Sequence, residues 1–391
     1  MLDVPLALAT VLRHAHRREP VRTAPAVGRV LAEDVASDVD SPPFDKALMD
    51  GYAVRAVVAL PGTELRVVEE IAAGAMPSKT LTTYEAARIF TGAPIPAGAD
   101  AVVMREKTSS PASDRVFVTD APTAGQFILR RAAEMQVGEI VLPAGTVLTP
   151  QAIGVLATVG RAVVMQYPAP TVAVLATGDE LVEPDSIPGP GQIRNSNGPM
   201  LLAQATAAGA AARYLGIARD TEADLAARIA DGLTADILIL AGGVSAGDFD
   251  LVPKVLKDLG VTPHFHHVKM KPGKPLFFGT KGHTLVFGLP GNPVSSFVGF
   301  ELFVRSAIRS MAGNAVTGDG IEKMPLTESF LGNNNRPTYH PARIESNGVR
   351  GLPWFGSADL RALLDANALL VLPPGEVNYD AGSTVDVLPI I

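Results

Sequence analysis

Between residues 171 and 311 the chain alternates short apolar runs with amphipathic stretches, and few folds accept that order. TVAVLATG reads as a buried strand, SNGPMLLAQATAAGA as a helix opened by a polar cap, AARYLGIA as a strand, and TEADLAARIADGL as a helix capped by Thr221. ADILILAGG, FDLVPKVLKDLG, TPHFHHVKM, HTLVFGLPG and NPVSSFVGFELFVRSAIRSMAG continue as strand, helix, two strands and one long helix. Apolar runs without polar alternation need cover on both faces. The central segment is therefore predicted to be a mostly parallel α/β sheet flanked by helices.

The flanking segments read differently. Residues 2–16 form an amphipathic helix. From about 23 to 130, runs such as ELRVVEEIAAG, AARIFTG and DAVVMREK alternate with Pro and Gly, as in a β-rich unit. LPAGTVLTPQAIGVLATVG then reads as strand, turn and helix, with Thr149 as cap and Pro150 at the first helical position. This helix is expected to pack on the first one, so that the β-rich part is an insertion. After residue 313 the pattern is again β-like, predicting a small barrel or sandwich. The divisions are 1–22 with 131–166, 23–130, 167–312 and 313–391.

In an open α/β sheet, ligands bind beyond the carboxyl ends of the strands. Three loops leave such ends: ATGDEL (176–181), AGGVSAGDFD (241–250) and GLPGNPVSS (288–296). Their glycines permit close backbone approach and positive φ. Amides at the following helix starts favour anions such as phosphate. Asp179, Glu180, Asp248 and Asp250 would repel a phosphate unless a divalent cation such as Mg²⁺ lies between. One such loop is more often only a turn; three on one sheet edge point to a pocket.

Between these loops, VKMKPGKP carries Lys269, Lys271 and Lys274, stiffened by Pro272 and Pro275. Lysine runs are usually solvated. Here the formal net charge is −7, and a rigid cationic loop in such a chain suggests an oxyanion site. The same charge argues against nucleic acid as a partner. Neither a P-loop nor a GxGxxG fingerprint is present. His264 and His266 are expected on one face of a strand and His267 on the other, which speaks against a zinc site. The chain has no cysteine, which excludes disulfides, thiolate metal sites and a cysteine nucleophile. No uninterrupted apolar run approaches 18 residues and the start does not read as a signal peptide, so a cytoplasmic protein without a membrane span is expected.

FDKALMDGYAVR, FTGAPIPAGADAVVM, ATGDEL, RNSNGPML, AGGVSAGDFD, KPGKP, GLPGNPVSS, RPTYHPARI and FGSADLRALLDANALLVLP occur in an order that resembles the MoeA proteins and the gephyrin E-domain, the molybdenum-inserting enzymes of molybdenum cofactor biosynthesis. The resemblance spans nearly the whole chain. It implies an α/β multidomain subunit: a central MogA-like domain, a β-rich insert, a small α+β domain and a C-terminal β-barrel. It also implies a homodimer, with a separate molybdopterin adenylyltransferase as a candidate partner. The implied substrates are adenylylated molybdopterin and molybdate, with Mg²⁺ assisting and AMP released.

By motif, Asp50 and Thr91 would complete the partner subunit's cleft. Glu180 and Asp248 would hold the metal. Thr177, Gly178, Asp179, Ser196, Asn197, Gly242, Gly243, Ser245, Asp250, Pro290, Gly291 and Asn292 would contact the pterin phosphate. Lys271, Lys274, Ser295, Arg336 and Ser357 would hold molybdate. One departure stands out: Ala133-Glu134-Met135 lacks an acidic residue that relatives commonly carry. A catalytically weakened pterin-binding or scaffold protein of the same family is therefore the alternative expectation.

Overall fold

The central apolar runs form a six-stranded sheet in the order Ala211–Ala218, Thr171–Thr177, Ile237–Ala241, Thr284–Leu289, Pro275–Lys281, Thr262–His267. The first four strands run parallel, and Pro275–Lys281 runs antiparallel to both its neighbours, Thr284–Leu289 and Thr262–His267. The computed structural model describes residues 1–243, 251–315 and 320–390. The chain divides into two compact units. One comprises Met1–Ala32, Gly145–Thr149 and Val163–Ile391; the other comprises Glu33–Ala144 and Pro150–Ala162.

Seven α-helices lie among the described residues: α1 Val4–His14, α2 Pro150–Thr158, α3 Asn197–Ala207, α4 Glu222–Gly232, α5 Val252–Asp258, α6 Pro293–Gly299 and α7 Arg305–Met311. Alternate residues of the central strands feed two cores. Val172, Val174, Ile237, Ile239 and Phe287 face one, with residues of α1, α3, α6 and α7. Ala173, Leu175, Leu238, Leu240 and Val286 face the other, with residues of α4 and α5. This double burial explains why the runs lack polar alternation.

Helix α1 is capped by Asp3, whose carboxylate accepts from the Leu6 N–H at 2.9 Å. Its buried residues, Val4, Ala7, Leu8 and Val11, follow one helical stripe. That stripe is spent on the central core beside Phe303, Ala307 and Ile308, whereas the sequence pattern had suggested α2 as its partner. Periodicity shows that a face is buried and not against what. Thr221 caps α4 as expected, accepting from the Asp224 N–H at 3.3 Å.

The expected single long helix after Asn292 is interrupted. Between α6 and α7, Phe300–Val304 widen into a π-helical turn. Its buried Glu301 accepts from Gln204 Nε2 at 2.6 Å and from Arg305 Nε at 2.6 Å, so the carboxylate is paired where it leaves water.

The three histidines also depart from simple alternation. The strand Thr262–His267 is bulged on both sides of Phe265. His264 consequently stacks on His14 and lies near Phe278, while His266 meets Phe277. Phe277 and Phe278 belong to opposite cores, so His264 and His266 lie on opposite faces, correcting the shared face expected from a regular strand.

In the same unit, the strands Glu322–Pro325, Thr384–Pro389, Ala368–Leu372, Thr338–Glu345 and Gly348–Gly351 form an antiparallel sheet in that order. A Leu326–Val349 bridge joins its two edges, so the sheet curls over Ala342, Leu370 and Val387. A second ladder pairs Phe330–Asn334 with Gly375–Tyr379.

The other unit holds a six-stranded sheet in the order Ala101–Met104, Gly51–Val54, Glu85–Ile89, Glu64–Ile71, Arg115–Val118, Thr108–Ala112. Ala53, Ala87 and Val102 face one cluster; Tyr52, Ala86 and Val103 face another. No helix among the described residues is long and apolar enough to cross a membrane.

Candidate active site

The carboxyl ends of the parallel strands open into a cleft of about 480 Å³. Thr177, Gly178, Glu180, Asn197, Gly242, Gly243, Pro290, Gly291 and Asn292 line it, so most of the small-residue positions singled out by sequence meet there. Gly242 (φ +97°) brings its backbone against Thr177: a Cβ at that position would lie 2.7 Å from the Thr177 carbonyl oxygen. Gly178 (φ +143°) leaves room for the Glu180 carboxylate, which stands 2.3 Å from where its Cβ would be. Asn197 Nδ2 donates to the Gly291 carbonyl at 2.7 Å and ties α3 to the loop before α6.

Two predicted residues do not line this cleft. The Asp179 carboxylate accepts from the Asp220 N–H at 3.2 Å and braces the neighbouring loop. Ser196 makes no side-chain cap; Asn195 takes that role, accepting from the Gly198 N–H at 2.9 Å. Asn195 is buried and its Nδ2 donates to the Tyr214 hydroxyl at 2.7 Å, which explains why the cap falls one residue earlier. The sequence reading passed over Asp220, although it too follows a strand's carboxyl end, and it lines the cleft. Ser245, Asp248 and Asp250 lie outside the described residues.

A second hollow, of about 680 Å³, shares Pro275, Pro290 and Asn292 with the first. Lys271, Lys274, Ser295, Arg336 and Ser357 all line it. The lysine loop is stitched to the C-terminal sheet: the Lys271 N–H donates to the Pro337 carbonyl and the Tyr339 N–H to the Lys271 carbonyl, both at 2.8 Å. Lys271 Nζ donates to Asn334 Oδ1 at 2.5 Å, and Arg336 donates to the Met270 carbonyl at 3.0 Å. Ser357 accepts the Val294 N–H through its carbonyl and Asn292 Nδ2 through its hydroxyl, both at 3.0 Å.

Among the described residues no carboxylate pairs with Lys271, Lys274 or Arg336. Three cations without a carboxylate partner among the described residues, gathered in one hollow of an acidic protein, make a positive focus. Behind them, burial holds the His340 imidazole below its ordinary pKa, against its bond to the Leu352 carbonyl, and the Lys271 charge adds to the depression.

Four buried side-chain polar atoms lack a partner among the described residues: Thr177 Oγ1, Asn197 Oδ1, Gln204 Oε1 and Trp354 Nε1. Thr177, Asn197 and Trp354 line the two hollows. Unmet polar atoms at a concave surface are what a site for a polar ligand leaves open.

Asp50 and Thr91 belong to the other unit and bond to each other. The Thr91 N–H and hydroxyl donate to Asp50 Oδ1 at 2.8 and 2.7 Å. Thr91's N–H, then its hydroxyl, and finally the Arg105 charge hold the Asp50 carboxyl below its usual range. A depressed carboxylate stabilises the folded state above its unfolded pKa, and that contribution is lost as pH falls through the folded value. Thr91→Val removes the hydroxyl and keeps the N–H. The Asp50 titration midpoint then moves up toward the ordinary value in carboxyl-carbon NMR; an unmoved midpoint would refute the pairing.

Family models match along the chain in order: the MoeA N-terminal region (domains I and II) over residues 2–160, a probable molybdopterin-binding domain over 173–310, and the MoeA C-terminal region (domain IV) over 323–390. The molybdopterin molybdenumtransferase of Nostoc sp. (strain PCC 7120) is 40% identical over 382 residues, covering 93% of this chain and 87% of that protein. The enzyme of the same name from Staphylococcus aureus (strain Mu50) is 37% identical over 376 residues, covering 93% and 89%. The solved molybdopterin biosynthesis MoeA protein of Pyrococcus horikoshii OT3 superposes with a TM-score of 0.81 at 30% identity, covering 99% of both chains. Sequence, domain order and fold thus agree, and the chain belongs to the MoeA family.

Proposed function

We propose that the protein is a molybdopterin molybdenumtransferase that takes adenylylated molybdopterin and molybdate and releases AMP as molybdenum passes to the dithiolene sulfurs. The observation that carries this reading is the pair of adjoining hollows. One is lined by small residues and carboxylates; the other holds three cations that have no acidic partner among the described residues. Two anionic reactants need such neighbours.

The tasks of the side chains follow from their chemistry. Lys271, Lys274 and Arg336 neutralise molybdate, while the Ser295 and Ser357 hydroxyls donate to its oxygens. Each bond to a charged group contributes about 1.5–3 kcal/mol, so a few of them hold an oxyanion against water. In the first cleft, Thr177, Asn197 and the backbone of Gly242, Gly243 and Gly291 cradle the pterin phosphate. Mg²⁺ takes oxygen donors and few protein carboxylates, and the cleft supplies Glu180, Asp220 and Thr177 Oγ1, which has no partner among the described residues. Glu180 would hold the ion together with Asp248, and the ion would neutralise charge on the phosphates. As two Mo–S bonds replace Mo–O bonds, the displaced oxygen takes the two dithiolene thiol protons and leaves as water; attack of a water molecule on the phosphoanhydride breaks its P–O bond and gives AMP and the terminal phosphate of the pterin.

The same reading includes a cytoplasmic homodimer with four-part subunits divided as 1–22 with 131–166, 23–130, 167–312 and 313–391. Asp50 and Thr91 would serve the partner subunit's cleft, and a molybdopterin adenylyltransferase would supply the substrate. The decisive assay measures AMP release from adenylylated molybdopterin by the purified protein with and without molybdate. Release that depends on molybdate supports the reading; release that ignores it, or none at all, overturns it.

A further inference from the structure

Phe355 is 94% exposed although it lines the cationic hollow with Lys271, Lys274 and Arg336. A large apolar side chain left in water forgoes the gain of burial. Its backbone is nevertheless held. The Phe355 N–H donates to Asp359 Oδ2 at 3.1 Å, and the Asp359 N–H donates to the Gly356 carbonyl at 3.0 Å. Gly356 at φ +122° makes the turn possible, and the next residue, Ser357, is tied to the start of α6. Phe355 also borders a separate hollow of about 580 Å³ with Leu352, Arg361 and Leu364, itself 81% exposed. The aromatic ring is therefore a lip between two hollows, presented by an anchored turn.

We propose that Phe355 is a substrate-binding residue that stacks on the planar nitrogen heterocycle of the adenylylated pterin while the cations hold the oxyanion. The proposal rests on the reading of this site given above. That substrate carries two such rings, the pterin and the adenine, and either offers the flat face that an aromatic lip fits. Stacking explains an exposed ring at the mouth of a charged hollow, where solubility alone would favour a polar side chain.

The test compares Phe355→Ala, Phe355→Leu and Phe355→Tyr with the wild-type protein. Because the ring is exposed, all three are expected to unfold at the wild-type urea concentration. Alanine and leucine raise KM for adenylylated molybdopterin about three- to tenfold, with kcat and the molybdate dependence unchanged, whereas tyrosine restores the wild-type value. Calorimetric titration with AMP and, separately, with 6-hydroxymethylpterin shows which ring is stacked: the affinity lost in the alanine and leucine variants names it.

Unchanged KM and ring affinities, or leucine behaving like tyrosine, would overturn the proposal, because they leave planarity no role. A changed sedimentation coefficient in the alanine variant would also overturn it, assigning the ring to a subunit contact. If wild-type protein released no AMP with molybdate, the functional reading would have failed, and the ring titrations would still decide the role of Phe355.

Discussion

Lys274→Ala is expected to lower kcat/KM for molybdate-dependent AMP release by about 100-fold, with the unfolding midpoint unchanged. The Lys274 side chain is exposed and no carboxylate pairs with it among the described residues, so its removal leaves no buried partner stranded. Its backbone carbonyl accepts the Val268 N–H at 3.0 Å, a bond that alanine keeps. The loss therefore falls on the ligand. Deleting one preorganised donor to a reacting oxyanion typically costs 10²–10³ in rate, about 2.7–4 kcal/mol. Lys274→Arg keeps the charge and should recover part of the activity. High molybdate should rescue the alanine variant only to the extent that ground-state binding was lost. Wild-type kinetics in Lys274→Ala would remove this lysine from the site.

Gly242→Ala has the second large effect, and its origin is steric. The residue holds φ +97°, where an L side chain is strained by about 1–3 kcal/mol. The new Cβ would also stand 2.7 Å from the Thr177 carbonyl oxygen and 3.2 Å from Thr177 Oγ1. Backbone oxygen cannot swing away, so the strands ending at Thr177 and Ala241 must part. A loss of about 2–4 kcal/mol in urea unfolding is expected, with activity falling further because Thr177 is displaced in the cleft. Gly260→Ala is the control: it has φ +81° and nothing within 4 Å of its Cβ, so it bears only the backbone strain. Equal effects at the two positions would mean that contact with Thr177 is unimportant.

The central layer was legible because its inner strands are buried on both faces. That physical condition writes an unbroken apolar run such as ILILA, and the capping residue Thr221 marks the start of α4. The loops beyond the strand ends could be read as one cleft for the same reason: parallel strands put their carboxyl ends together. Local irregularities were not legible. The bulges around Phe265 moved His264 and His266 to opposite faces, and the buried Asn195–Tyr214 contact shifted the α3 cap from Ser196. A one-residue change in register leaves composition untouched.

Sequence alone determined the strand–helix order, the glycine-rich mouth of the sheet, the absence of cysteine and the family to which the motifs belong. Tertiary structure decided which distant segments share a wall. Lys271 meets Asn334, Ser357 meets Asn292, and α1 packs beside α7 across nearly three hundred residues. Propensity and periodicity are properties of neighbours along the chain, whereas a binding pocket is closed by backbone hydrogen bonds and packing between segments that the local pattern does not connect.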